Sequence, residues 1–245
     1  KRQFLIITGI ATVGWILPYL VGWLSGGDAW VFNGFLINPI DGNSYLAKMQ
    51  IGWSGEWRFT LPYTAQAGNG AYLFLFYIFL GHLTRLFSLP LIFVFHFARI
   101  LSGLFMSWTL WQFINWVFNK QKQLITRTFV IVIFGSGLGW LFSPIVGVTS
   151  DMWVAEAYPF LSGLTNPHFP LGLSLILWIL IHSNRAMTWR VRIFLLVEGL
   201  LLSIIMPFGI VVLAVILLGW VVWEWFEQKR ALRVDNVFWP LLAGG

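Results

Sequence analysis

Residues 4–24 read FLIITGIATVGWILPYLVGWL, an apolar run that contains no charged side chain. An α-helix needs about 20 such residues to cross roughly 30 Å of hydrocarbon. A signal peptide would have a shorter apolar region and a small-residue cleavage site, and the positions of Trp15, Pro18 and Trp23 favour a segment that is retained. We therefore predict that this run is the first membrane span.

The composition of the whole chain also indicates a membrane protein. Of the 245 residues, 58% are hydrophobic and 10% are charged, whereas a soluble domain carries roughly 25% charged residues. The 16 tryptophans suit aromatic belts at the membrane interfaces. We attribute the net charge of +6 to basic anchors in cytoplasmic loops, and we predict no nucleic-acid partner. Cysteine is absent, which excludes disulfides, thiolate catalysis and cysteine-ligated metals.

Further apolar runs predict more spans. They lie at about 88–117, 128–148, 169–183, 193–207 and 209–226. The run at 71–87 fits either a span or a helix in the interface, and 237–245 looks like the start of a further span, as in a fragment of a longer protein. We predict an all-α fold: a single polytopic transmembrane bundle over residues 1–245, with about six or seven spans and a long first outer loop that contains juxtamembrane helices.

The basic residues predict the orientation of the bundle, because cytoplasmic loops are enriched in lysine and arginine. With Lys1 and Arg2 inside, residues 26–87 and 149–168 form outer loops. The later inner loops then hold Lys120, Lys122, Arg127, Arg185, Arg190, Arg192, Lys229, Arg230 and Arg233. A full span at 71–87 would reverse every later loop, so we favour the interfacial position. The prediction is a multi-pass plasma-membrane protein with a cytoplasmic N-terminus.

The first outer loop contains a candidate site that begins at Asp41. Pro39 and Gly42 mark a turn, and the residues after it are compatible with a helix. Asp41 lies where an N-cap would lie, and Tyr45, four residues on, shares its helix face. The alternative is a plain aspartate cap with Tyr45 as an interface anchor.

The second outer loop carries Asp151 and Glu156, followed by Asn166-Pro167-His168. Carboxylates from the two outer loops that face each other would bind a divalent cation through hard oxygen ligands, or one would act as a general base on an acceptor hydroxyl. The alternative is a solvated loop in which the aspartate caps a short helix and the histidine packs at the interface.

The order of these features carries a resemblance to a known class. The stretches concerned are DGNSY (41–45), GEW (55–57), LPY (61–63), YLFLFY (72–77) and FARILSG (97–103). The first is an Asp-x-x-x-Tyr motif in the loop after the first span, and the last places Arg99 near the start of the next span. Together with the basic inner loop and the acids that follow, residues 4–168 resemble the GT-C class of membrane glycosyltransferases.

The resemblance implies transfer of a sugar from a polyprenyl-phosphate donor to an acceptor at the outer face of the membrane. Asp41 would be the general base for the acceptor, or a carboxylate next to a metal. Asp151 and Glu156 would help to place a divalent cation (Mg²⁺ or Mn²⁺) or the donor phosphate, with Asp41 and Asp151 as metal ligands. The residues implied in substrate binding are Tyr45, Lys48, Arg99 and His168.

Two other functions fit the sequence. A non-catalytic subunit of a larger membrane complex would have scattered acids, or acids buried against other membrane subunits. A transporter would use Glu198, which lies within a predicted span and would otherwise be hydrogen-bonded to Ser203 or to a neighbouring helix. The four histidines show no paired pattern for haem. The stretch 135–139, GSGLG, lies within a predicted span and is expected to allow close helix approach.

Overall fold

The computed structural model of this protein describes residues 1–61, 64–66, 68–119, 121–185, 188–228 and 234–242. Within these ranges the chain is all-helical, as the sequence predicts, and it forms only two isolated β-bridges. Six residues used in the sequence analysis lie outside the described ranges: Pro62, Tyr63, Lys120, Lys229, Arg230 and Arg233.

The longest connections between the main helices are residues 25–38 and 55–74. The helices are α1 (Arg2–Leu24), α2 (Pro39–Ser54), α3 (Leu75–Phe87), α4 (Leu91–Val117), α5 (Lys122–Phe134), α6 (Ser143–Val146), α7 (Ser150–Trp153), α8 (Pro159–Thr165), α9 (His168–Ser183), α10 (Trp189–Ile205), α11 (Pro207–Gln228) and α12 (Val234–Leu242). Two short 3-10 turns are also present. Gly139–Phe142 lies before the second predicted outer loop, and Ala155–Ala157 lies within it. The predicted start of a further span at 237–245 falls on α12, and residues 243–245 are not described.

Among the described residues, three helices are long and apolar enough to cross a membrane: α1, α4 and α11. A fourth crossing results if α5 and the helical turns at 139–146, which meet at a bend of 45°, count as one broken span. Helices α9 and α10 contain 16 and 17 residues, or about 25 Å at 1.5 Å per residue. The described residues therefore support a membrane protein with three or four clear crossings.

The predicted span at 128–148 is interrupted by a bend, so it stays a prediction in the form of one broken span. Helix α5 starts earlier, at Lys122, and ends at Phe134. The stretch GSGLG at 135–139 follows it, and glycine costs about 1 kcal/mol relative to alanine in a helix interior. Gly137 and Gly139 lie against the side chain of Asp151. These small residues therefore make room for a loop rather than for a helix–helix contact.

Helix α3 covers only part of the ambiguous run at 71–87. Its 13 residues extend about 20 Å, which is less than the roughly 30 Å core of a bilayer. A helix of this length suits a position in the membrane interface. Helix α3 packs lengthwise against α2.

Helices α2 and α3 approach so closely that their backbones touch. A Cβ added to Gly52 would collide with the carbonyl of Ile78, and one added to Gly81 would collide with the carbonyl of Met49. From Met49 to Gly52 the residue number rises along α2, while the contacted residue in α3 falls from Gly81 to Ile78. The two helices therefore form an antiparallel hairpin.

Helix α4 joins the three hydrophobic clusters of the fold. Its first turns pack with α2 and α3 through Phe95, and its middle packs with α1 and α5 through Met106 and Leu110. Phe113 reaches the third cluster, which α9, α10 and α11 build. The hairpin of the first predicted outer loop is thus fixed to the same helix that organises the membrane bundle.

Candidate functional site

The candidate site begins at the N-terminus of α2. Asn38 occupies the N-cap with φ 48°, in the left-handed region, and Pro39 is the first helical residue. Asp41 therefore lies in the first turn and is not the N-cap that the sequence predicts. The reason is that proline is favoured at the first helical position, where its missing N–H costs nothing. The Asn38 side-chain amide donates to Oδ2 of Asp41, while the Asp41 residue remains exposed.

A cluster of three rings holds α2, α3 and α9 together beside Asp41. The rings of Tyr45 and Tyr77 stack with centroids 4.3 Å apart and planes at 12°. The hydroxyl of Tyr77 lies 2.6 Å from Nδ1 of His168, and the His168 ring meets Tyr45 edge-on at 5.1 Å. Tyr77 and His168 are both buried. The cluster connects the first predicted outer loop to the end of the second.

Lys48 lies one turn beyond Tyr45 on the same face of α2. Its ammonium is 4.1 Å from the ring centroid of Phe74 and 4.7 Å from that of Tyr45. Nζ donates to the hydroxyl of Ser44 at 3.1 Å, and no carboxylate in the described part of the chain pairs with it. Burial lowers the pKa of Lys48, and the charge of Asp41 partly opposes that shift.

A cavity of about 190 Å³ lies where the two predicted outer loops meet. Both loops contribute one acid to its lining: Asp41 comes from α2, and Glu156 comes from the 3-10 turn before α8. Both acids also act on Tyr45, whose pKa is raised to about 12, first by burial and then by Asp41 and Glu156.

The remaining polar lining of this cavity comes from the amides of Asn38 and Asn166 and from Thr165. Trp153 and Phe169 supply aromatic faces. Each asparagine belongs to one of the two Asn-Pro dipeptides of the chain, one in each outer loop. The sequence analysis did not select Asn38, Asn166 or the two aromatic residues, nor Tyr77 as a partner of His168. The repeated Asn-Pro pair was the signal that would have found the two amides.

Asp151 does not belong to the residues that line this cavity. The Asp151 carboxylate is buried in its own loop, where it accepts a hydrogen bond from the Trp140 backbone N–H at 2.9 Å and another from the Thr149 hydroxyl. The Thr149 hydroxyl, followed by backbone donors, lowers the pKa of Asp151. The structure thus places Asp41 and Glu156 in the lining of one cavity. The hydrogen bonds of Asp151 instead order the loop around 135–154.

Arg99 does not line the cavity either. Its guanidinium instead donates hydrogen bonds to backbone carbonyls. Nη1 donates to the Gly163 carbonyl at 2.8 Å and to the Leu164 carbonyl at 3.3 Å, and Nη2 donates to the Trp15 carbonyl at 3.1 Å. The Arg99 residue is only 2% exposed. Since Gly163 and Leu164 are in the last turn of α8, Arg99 satisfies carbonyls that the helix cannot pair itself.

Two residues of α1 complete this anchorage of α8. Nε1 of Trp15 donates to the Phe160 carbonyl at 2.9 Å, and the Tyr19 hydroxyl donates to the Leu164 carbonyl at 2.7 Å. Helix α8 begins three residues after Glu156, and Asn166 is its C-cap. The contacts with α1 and Arg99 therefore fix one wall of the cavity to the membrane helices.

Glu198 pairs with a neighbouring helix rather than with Ser203. Its Oε1 lies 2.7 Å from Nδ1 of His182 in α9, while the Ser203 hydroxyl donates to the Leu200 carbonyl.

Within the described residues, no group of three or more His, Asp or Glu side chains forms a ready-made metal site.

No protein-family model, no curated protein and no solved structure matches this chain. The case for a function therefore depends on the geometry of the cavity and on the chemistry of its lining.

Proposed function

We propose that this protein is a membrane glycosyltransferase of the GT-C type, which transfers a sugar from a polyprenyl-phosphate donor to an acceptor at the outer face of the membrane. The observation that carries the proposal is the shared cavity of Asp41 and Glu156, which come from two segments more than a hundred residues apart. The proposal includes a plasma-membrane location, about six crossings, an interfacial α3 and a cytoplasmic N-terminus.

The lining of the cavity supports an acceptor site. A volume of about 190 Å³ is below the roughly 300–1,000 Å³ typical of sites for drug-sized ligands, so it suits a group the size of one sugar or smaller. The amides of Asn38 and Asn166 can both donate to and accept from hydroxyl groups. The faces of Trp153 and Phe169 would cover the apolar side of such a group.

In this account Asp41 is the general base. Oδ2 of Asp41 accepts from Asn38, and Oδ1 has no hydrogen-bond partner among the described residues. Oδ1 would take the proton of the acceptor hydroxyl as the acceptor oxygen bonds to the anomeric carbon of the donor. The bond from that carbon to the phosphate oxygen breaks, and the lipid phosphate leaves with the electron pair. General-base catalysis of this kind contributes about 10²–10⁴-fold to a rate.

The donor phosphate would lie towards Lys48 and His168. Lys48 has no carboxylate partner in the described part of the chain, so its ammonium charge is available to an anion. The ring of Tyr45 contacts Lys48, and the charges of Asp41 and Glu156 act on its hydroxyl, so in this account Tyr45 would lie between the acceptor and the phosphate. Arg99 is assigned to holding α8 in place, because its donors already serve backbone carbonyls.

We also propose a divalent cation in this cavity, held by two carboxylates, since no group of three or more acids or histidines that could hold a metal ion occurs among the described residues. Mg²⁺ is usually held by one or two carboxylates together with substrate phosphates, and Asp41 and Glu156 offer two carboxylates beside the amide oxygens of Asn38 and Asn166. When bound, Mg²⁺ or Mn²⁺ would offset the negative charge of the leaving phosphate.

The test is sugar transfer by membranes that contain the full protein, supplied with radiolabelled polyprenyl-phosphate hexose and aminopentose donors. The variant Asp41→Asn keeps the shape of the side chain but cannot accept the proton. The matched control is Asp28→Asn, an exposed acid in the same outer loop that does not line the cavity. We expect a loss of at least roughly a hundredfold for the first variant and an unchanged rate for the second. Equal rates for wild type and Asp41→Asn would remove Asp41 from the mechanism.

The pairing of Glu198 bears on the transporter alternative. A transporter would need Glu198 to face a substrate path, whereas its Oε1 is engaged by His182 at 2.7 Å. Uptake assays with vesicles that contain wild-type or Glu198→Gln protein distinguish the two functions. The glycosyltransferase account predicts no transport by either protein, whereas a transporter would lose uptake in the variant.

A further inference from the structure

Basic side chains gather at the end of the bundle where α1 and α5 both begin. The two helix starts are adjacent, since the Thr126 hydroxyl donates to Oε1 of Gln3 at 2.6 Å and the rings of Phe4 and Phe129 lie 5.8 Å apart. Among the described residues, Lys1, Arg2, Lys122 and Arg127 lie at this end, and all of them are exposed. Among the described residues none of them has an acidic partner.

An open groove of about 590 Å³ lies in this basic region, at the start of α5. Lys122, Arg127 and the amides of Gln121 and Gln123 line it. The first turn of α5 adds backbone N–H groups that have no partner within the helix. The groove therefore combines two cationic side chains with neutral hydrogen-bond donors.

The apolar surroundings of the groove indicate what kind of anion it fits. Leu124 also lines the groove and is 39% exposed, and Ile131 is 68% exposed. Residues 124, 127 and 131 follow the i, i+3, i+7 spacing of one helix face, so Arg127 stands between two exposed apolar side chains. A free phosphate would make no apolar contact with these side chains, whereas the acyl chains of a lipid would pack against them.

We propose that this groove binds the phosphate headgroup of an anionic phospholipid, with the acyl chains along Leu124 and Ile131. Basic groups near a membrane surface bind anionic lipids more tightly with each added lysine or arginine. The site is separate from the Asp41 cavity, and it does not depend on the glycosyltransferase proposal or on which side of the membrane this end faces.

Native mass spectrometry of the purified full chain in neutral detergent tests the proposal, by titration with phosphatidylglycerol, phosphatidylcholine, diacylglycerol and inorganic phosphate. We expect preferential binding of phosphatidylglycerol. The double variant Lys122→Gln/Arg127→Gln should raise its Kd roughly thirtyfold. The matched control, Arg185→Gln/Arg190→Gln, removes two exposed charges from another loop and should leave the Kd within about twofold.

Three results would overturn the proposal: equal binding of phosphatidylcholine, an equal loss in the control variant, or displacement of the lipid by inorganic phosphate, which would indicate a free-anion site. If the double variant does not fold, the variant Lys122→Arg/Arg127→Lys decides. It keeps both charges and should keep the preference for phosphatidylglycerol, and a loss of that preference would also contradict the proposal.

Discussion

The Tyr77 hydroxyl lies 2.6 Å from Nδ1 of His168, and this hydrogen bond joins α3 to the start of α9 across 91 residues of sequence. Both residues are buried, and Tyr45, four residues after Asp41 in α2, stacks on the Tyr77 ring. The bond therefore fixes the α2–α3 hairpin to the start of α9 next to the candidate site.

Replacing Tyr77 with phenylalanine should destabilise the protein. The substitution keeps the ring but leaves a buried His168 nitrogen without its partner, which costs about 1–3 kcal/mol. The free energy of unfolding, from denaturant titration in mild detergent, measures the loss. The control is Tyr45→Phe, on the stacked neighbour whose hydroxyl makes no hydrogen bond among the described residues, with an expected change below about 0.5 kcal/mol. Equal effects of the two variants would show that the bond does not support the fold.

The close approach of α2 and α3 gives a second prediction. The variant Gly52→Ala adds a methyl group that meets the Ile78 backbone carbonyl, and overpacking of this kind costs about 1–3 kcal/mol. The matched control is Gly9→Ala in α1, where an added Cβ meets nothing within 4 Å and alanine is the better helix former. Thermal unfolding midpoints should fall for the first variant and stay level or rise for the second. A neutral Gly52→Ala would mean that the two backbones do not touch.

The sequence analysis was successful for the elements that depend on hydrophobic length. The predicted runs at 4–24, 88–117 and 209–226 correspond to α1, α4 and α11, within a few residues at each end. Length and apolarity are local properties, so they can be read without knowledge of the fold. The 128–148 run is bent by 45° between α5 and the turns at 139–146, and the sequence analysis missed this bend because hydropathy does not register the conformational cost of three glycines within 135–139.

The site was predictable only in part, for a different reason. Asp41 and Glu156 are two of nine acids in an apolar chain, and their places in the two predicted outer loops selected them together with Asp151. Their shared cavity, and the diversion of Asp151 to Thr149 and Trp140, depend on how the second loop folds back on itself. Arg99 was selected as a phosphate ligand, but whether its donors meet carbonyls of α8 is decided by tertiary packing.

Asp151 should make the stability of the loop depend on pH. The Thr149 hydroxyl bond lowers the pKa of Asp151 from its ordinary value of 3.8, so the ionised form is favoured in the folded state. The stabilisation is present above that ordinary value and is lost as pH falls through the lower folded-state pKa. Unfolding midpoints between pH 6 and pH 3 should show wild type ahead of Thr149→Val at pH 6, with the gap closing below about pH 4. A gap that does not change with pH would contradict this role.

The central claim is that Asp41 and Glu156 act together in one cavity, and a double-mutant cycle on sugar transfer tests it most directly. Initial rates are measured for wild type, Asp41→Asn, Glu156→Gln and the double variant, with the same lipid-linked donors. Residues that work as a unit are not additive, so we predict that the double variant is about as slow as the slower single variant. Independent losses that multiply in the double variant, or an Asp41→Asn enzyme as fast as wild type, would contradict the account.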